Sequence, residues 1–189
     1  MKFRSNLMKI ARASAVLALA ALMTLMIGAY TASAATTQDQ TVNEQALNKH
    51  VHHALVMNPW YGVFDNITYQ LNGTQVVLSG QVVLPVTKSD AEKSVQHVAG
   101  VTEVVDNIQV LPVSNFDNQI RRAEFRRIFS GDTLGRYAMG AVPSIHIIVN
   151  NGHVTLEGTV MNQMDANIAR IRANEVPGVF SVTNNLHIG

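Results

Sequence analysis

The chain has no cysteine among its 189 residues. Disulfides cannot staple it, so any small domain it contains must rest on its own apolar core. The same absence excludes a lipoprotein of the bacterial type, which needs an acylated cysteine directly after its leader. Motifs that carry common enzyme chemistry are also missing: there is no nucleophile elbow, no glycine-rich phosphate loop and no helical His-Glu metal motif. The longest apolar run, Ala15 to about Tyr30, is shorter than the ~20 residues a spanning helix needs. A twin-arginine pair is absent from the basic segment before it.

What is present begins with an export signal. Lys2, Arg4, Lys9 and Arg12 precede the apolar run, and Ala32-Ser33-Ala34 supplies a small-x-small cleavage site. Residues 1–34 are therefore expected to be a cleaved signal peptide, followed by a polar, disordered start over 35–41. An uncleaved anchor is the competing reading, disfavoured by the short run and by the cleavage site. The leader holds 4 of the 14 Lys and Arg residues and no acidic one, so ten basic residues face 13 acidic ones in the mature chain, a net charge of −3. The precursor's basic pI thus gives no reason to expect nucleic acid as a partner. A periplasmic protein without a spanning helix after cleavage is expected.

The remainder repeats itself. Residues 42–110 moved forward by 78 positions fall on 120–188 without a gap. Ile67, Val76, Leu78, Gly80 and Val82 land on Ile145, Val154, Leu156, Gly158 and Val160, and Gly100-Val101 lands on Gly178-Val179. Apolar positions and glycines coincide, as two copies of one small fold require. Domains are expected over 42–111 and 117–189, joined by a short linker at 112–116.

Each copy reads α-β-β-α-β. In the first, Leu47, Val51, Ala54 and Leu55 recur at helical spacing from about Val42 to Met57, and Asn58-Pro59 stops the helix. Its counterpart over about 117–130 offers Ile120, Phe125, Ile128 and Phe129 as the buried face. Alternating strands flank Asn72-Gly73 and, in the second copy, Asn150-Asn151-Gly152. A second helix starts near Thr87 and Asp90, which have capping-box spacing. Gly100 and Gly178 end that helix in each copy. Gly80 and Gly158, inside strands, are read as bulges or as a close approach of backbone to helix. The fold class is α+β: two tandem domains, each a three-stranded sheet with both helices on one face. The right-handed crossover rule suggests the first strand as the central one.

These signals together resemble the BON domain: an x-Val-x-Leu-x-Gly-x-Val strand, a helix, then Gly-Val-x-x-Val and an Asn-rich strand, twice over residues 42–188. A leader followed by two such domains is similar to the osmotically inducible periplasmic proteins. The resemblance implies a non-enzymatic envelope protein that binds phospholipid surfaces and supports integrity under osmotic or other stress. Lacking the acylated cysteine, the chain can touch a membrane only peripherally.

Candidate binding residues lie where the copies differ. Arg121, Arg122, Arg126 and Arg127 crowd the first helix of the second copy, and all seven mature-chain arginines lie in that half. They read either as a solvated face or as a landing patch for anionic head groups, each worth on the order of 1 kcal/mol near such a surface. Trp60 and Tyr61, with Phe64 nearby, suit a water–lipid interface or the cap of a small core; the aligned Ala138 and Met139 are not aromatic. His50, His52 and His53 crowd one helix, but no Cys, Asp or Glu completes a metal-ligand spacing. Neither a metal nor a cofactor is expected. The alternative to lipid binding is a soluble protein–protein interaction or chaperone-like module, motivated by the acidic surface and the Trp60-Tyr61 loop.

Overall fold

A computed structural model describes residues 43–189; the expected signal peptide at 1–34 and polar start at 35–41 lie outside the described residues. Leu47–Gly189 form one compact unit that holds both repeats. Helix α1 spans 43–56, and Leu47, Val51 and Leu55 are buried along it because residues four apart share a helix face. Strands β1 (Asn66–Asn72) and β2 (Gln75–Val82) pair antiparallel about a turn whose Gly73 has φ 65°. Helix α2 (Pro85–Gln96) carries the chain back so that β3 (Glu103–Val110) pairs parallel with β2. Residues of α1 and α2 share one core with the strands, so both helices cover one face of the sheet.

The second repeat follows the same order with additions. Helix α3 (Asn115–Phe129) is capped by Ser114, whose hydroxyl accepts from the Asp117 amide. A short helix α4 (Asp132–Gly135) and a 3-10 turn (Arg136–Ala138) intervene before β4 (Ile145–Asn150). Strand β5 (His153–Val160) and helix α5 (Gln163–Asn174) follow. The third strand is split into β6 (Ser181–Asn184) and β7 (His187–Ile188), both parallel to β5. Gly100 and Gly178 take the left-handed conformation beyond α2 and α5, as expected.

Four expectations are corrected. The central strand is the second of each repeat, not the first. A tight hairpin puts β1 on one side of β2, and the β2–α2–β3 crossover leaves only the other edge of β2 for a parallel partner. Helix α2 starts at Pro85, whose ring suits the first helical position, so Thr87 lies inside the helix and caps nothing. Gly80 and Gly158 do approach backbone closely, but that of the neighbouring strand's start. A Cβ would lie 2.0 Å from the Asn66 carbonyl oxygen at Gly80 and 2.1 Å from that of Ser144 at Gly158.

The fourth correction concerns the repeat itself. The 78-residue offset holds for the strands and for α2, but not for the first helices. At that offset Leu47 would match Phe125, which is exposed, whereas the buried stripe of α3 is Ile120, Glu124 and Ile128. Those three match Leu47, Val51 and Leu55 at an offset of 73, as do the helix ends at 56 and 129. The extra residues of the second repeat form α4 and the 3-10 turn, which add Leu134 and Tyr137 to its core.

Candidate functional site

The segment after α1 joins the two repeats. Asn58 sets its course: its side chain accepts from the Trp60 amide (3.0 Å) and donates to the Thr87 carbonyl (3.1 Å). The Thr87 hydroxyl donates in turn to the Trp60 carbonyl. Asp65, buried, accepts from the Gly62 and Val83 amides at 3.0 and 2.7 Å. Burial raises its carboxyl above the usual range, a shift those two amides oppose.

Held this way, the segment reaches the second repeat. The Val63 carbonyl accepts from the Ile147 amide at 2.7 Å, Phe64 meets Phe125 edge-on at 6.4 Å, and Val63 and Phe64 pack against the second core. Tyr61 stacks on His146 with centroids 5.4 Å apart. His146 is 7% exposed, its Nδ1 has no partner among the described residues, and burial holds its imidazole below the ordinary value. Strand β4 is consequently buried from Ile145 through Val149, unlike the alternating β1.

Arg121 completes this junction and leaves the expected arginine patch. It is 3% exposed, and its guanidinium donates to the Val149 carbonyl (2.6 Å) and to Asn118 Oδ1 (2.7 Å). Val149 and Ile147 share the outer edge of β4, so Arg121 and Val63 together block a free sheet edge. Tyr61, half-buried against His146 with its hydroxyl accepting from the Ile67 amide (3.3 Å), is likewise a junction residue. Arg122, Arg126 and Arg127 do face solvent. Arg127 pairs with Glu175, whereas Arg122 and Arg126 have no ion-pair partner among the described residues. Trp60 is 52% exposed.

Three of the candidates, Trp60, Arg121 and Arg122, meet in one place. A cleft of about 470 Å³ between the repeats is lined by Trp60, Val63, Phe64, Asp65, Val83 and Leu84 from the first repeat and by Asn118, Arg121 and Arg122 from the second. Arg122 also borders a second groove, with Phe116, Ala123, Arg126 and Pro177. The exposed arginines thus run from the cleft along the outer side of α3.

One ionisable residue lies fully inside the second core. Glu124 is 0% exposed, and neither carboxylate oxygen finds a hydrogen-bond partner among the described residues. Burial alone pushes its carboxyl up to about 8, so it is largely protonated at neutral pH. Its signal was the i, i+4 spacing from Ile120 and Ile128, masked by the gap-free repeat alignment. His50, His52 and His53 are exposed on α1, and among the described residues no three potential ligands converge on a metal position.

A family model described as the BON domain matches residues 43–112 and 134–189, and the second match begins beyond α3, where the two repeats lose their common offset. No curated protein sequence matches the chain. Two solved structures of CdsD, a structural protein of the type III secretion system of Chlamydia trachomatis, are similar at low scores. The first, a C-terminal domain, has TM-score 0.29 and 15% identity, covering 75% of this chain and 96% of that one. The second has TM-score 0.27 and 16% identity, covering 76% and 93%.

Proposed function

Because the chain belongs to the BON domain family, we propose that it is an exported, non-enzymatic envelope protein that binds anionic phospholipid surfaces peripherally. It would support the envelope under osmotic or other stress, in the manner of osmotically inducible protein Y. The observation that carries this reading is the meeting of the exposed Trp60 with Arg122 on one cleft, continued by Arg126 along α3. An interfacial indole beside unpaired guanidiniums suits a head-group boundary, where the ring enters and the cations meet phosphate. Weak, reversible binding follows, since each cation contributes on the order of 1 kcal/mol, screened by salt. No helix among the described residues is long and apolar enough to cross a membrane. No cofactor enters the proposal.

Co-sedimentation with phosphatidylglycerol vesicles tests it. The protein should pellet at low salt, less so at high salt, and the triple change of Arg122, Arg126 and Arg127 to Gln should weaken binding by roughly a hundredfold. Absence of binding at low salt, or indifference to the triple change, defeats the proposal. The protein–protein alternative gains from the apolar side of the same cleft, where Leu84 is also exposed; suppression of client aggregation without vesicle binding would favour it.

A further inference from the structure

We propose that the cleft between the repeats binds one single-chain anionic amphiphile, a carboxylate or phosphate monoester on an acyl tail. The inference deepens the lipid-surface reading, on which the choice of a lipid-derived occupant rests. Its volume, about 470 Å³, lies within the ~300–1,000 Å³ of small-molecule sites and is well below that of a two-chain phospholipid.

The lining divides into two parts. Trp60, Val63, Phe64, Val83 and Leu84 offer an apolar wall for a tail, while Asn118, Arg121 and Arg122 gather at the α3 side. The acidic residue of the lining, Asp65, is already occupied: its two oxygens accept from the Gly62 and Val83 amides. With two arginines against that one carboxylate, the lining keeps one net positive charge. Arg121 is nearly inaccessible, and its Nε has no partner among the described residues although its other nitrogens are bound. The charge of the buried guanidinium favours an anion nearby, and the exposed Arg122 supplies the direct contact. The cleft is also preformed. Asn58 and Thr87 hold the Trp60 backbone, and Asp65 holds the loop against Val83, so little ordering is needed on binding.

Trp60 is the chain's one tryptophan, so its fluorescence reports from the cleft wall. The purified protein is titrated with dodecanoate and dodecyl phosphate below their micelle concentrations, with dodecanol as the uncharged control. Saturable change at one amphiphile per chain is expected with at least one anion, and the tighter anion names the head group. Dodecanol should bind about tenfold more weakly, and R122Q should lose about tenfold in affinity for the anion, the effect of one charge-assisted contact. Leu84→Glu, at an exposed position, should abolish the response while circular dichroism stays unchanged. A flat titration with both anions, or equal affinity of R122Q and wild type together with equal affinity for dodecanol, overturns the proposal. Vesicle sedimentation on the same sample separates the two readings. Vesicle binding with a flat titration overturns the cleft assignment alone, loss of both overturns both, and a saturable titration without vesicle binding supports the cleft and overturns the surface reading.

Discussion

The two repeats solve one packing problem with different chemistry. In the first, Val51 fills the middle of the buried helix stripe; in the second, Glu124 stands there without a hydrogen-bond partner among the described residues. The loop before the first strand is tied down in one by Asn58, Thr87 and Asp65. In the other, Tyr137 does this work: its hydroxyl donates to Asp165 (2.6 Å) and accepts from the Met161 amide (2.9 Å). Thr87 and Asp165 occupy equivalent places in the first turns of α2 and α5, and Val83 and Met161 equivalent places after the central strand. The Tyr137 hydroxyl and Arg136 hold the Asp165 carboxyl below its usual range. What is common to both is the demand for a pinned loop; which groups pin it is free to drift. The first repeat's loop, pinned by its own residues, is thereby available to dock on β4 and to form one wall of the cleft.

The largest test strikes what the repeats share. Gly80→Ala and Gly158→Ala each push a Cβ into a carbonyl oxygen at a positive φ, and each should destabilise the protein by roughly 4 kcal/mol in urea denaturation. Tolerance at one site and not the other would break the equivalence of the two hairpins.

The next test strikes where they differ. The Glu124 carboxyl is raised from 4.5 to about 8 in the folded protein, so the native state holds its proton when the unfolded state has lost it. Stability from this group is greatest below the unfolded value and falls as pH rises towards 8, by about 3 kcal/mol between pH 5 and 8. Glu124→Leu should remove that slope and stabilise the protein at pH 8 by a similar amount. The buried His146, held below its ordinary value, works in the opposite direction, so the difference between the wild-type and variant curves isolates the carboxyl. Parallel curves would mean that Glu124 is not buried as described.

The smallest effect compares the two loop ties. Tyr137→Phe orphans the Met161 amide and removes one bond to Asp165, an expected loss of about 2 kcal/mol. Thr87→Val removes only the longer bond to the Trp60 carbonyl, about 1 kcal/mol. Equal losses, read by thermal unfolding, would show that the two loops are pinned equally.

Legibility from sequence followed the range of the interactions. The hairpins were legible because Asn72-Gly73 and Asn150-Asn151-Gly152 interrupt strict alternation, a local signal. Phe125 was misplaced because helical periodicity names a face without saying what that face meets; here it meets Phe64 across the repeat junction. Thr87 and Asp90 have capping-box spacing, but Pro85, equally able to start a helix, takes the first helical position two residues earlier. Trp60 and Arg122 were both legible as candidates, but not as neighbours, since the chain between them says nothing about the docking that brings them to one cleft.

By itself, the sequence determined the α+β class, the duplication, the hairpins and the helix-ending glycines. Those depend on backbone conformation and on short-range alternation of apolar residues, which are written in adjacent positions. Tertiary structure alone decided that the second strand is central, that Glu124 and Arg121 are buried, and that Trp60 and Arg122 line one cleft. Each of these depends on contacts between distant segments. Burial turns a surface charge into a core carboxyl or an edge-blocking guanidinium, and no residue carries that outcome in its own identity.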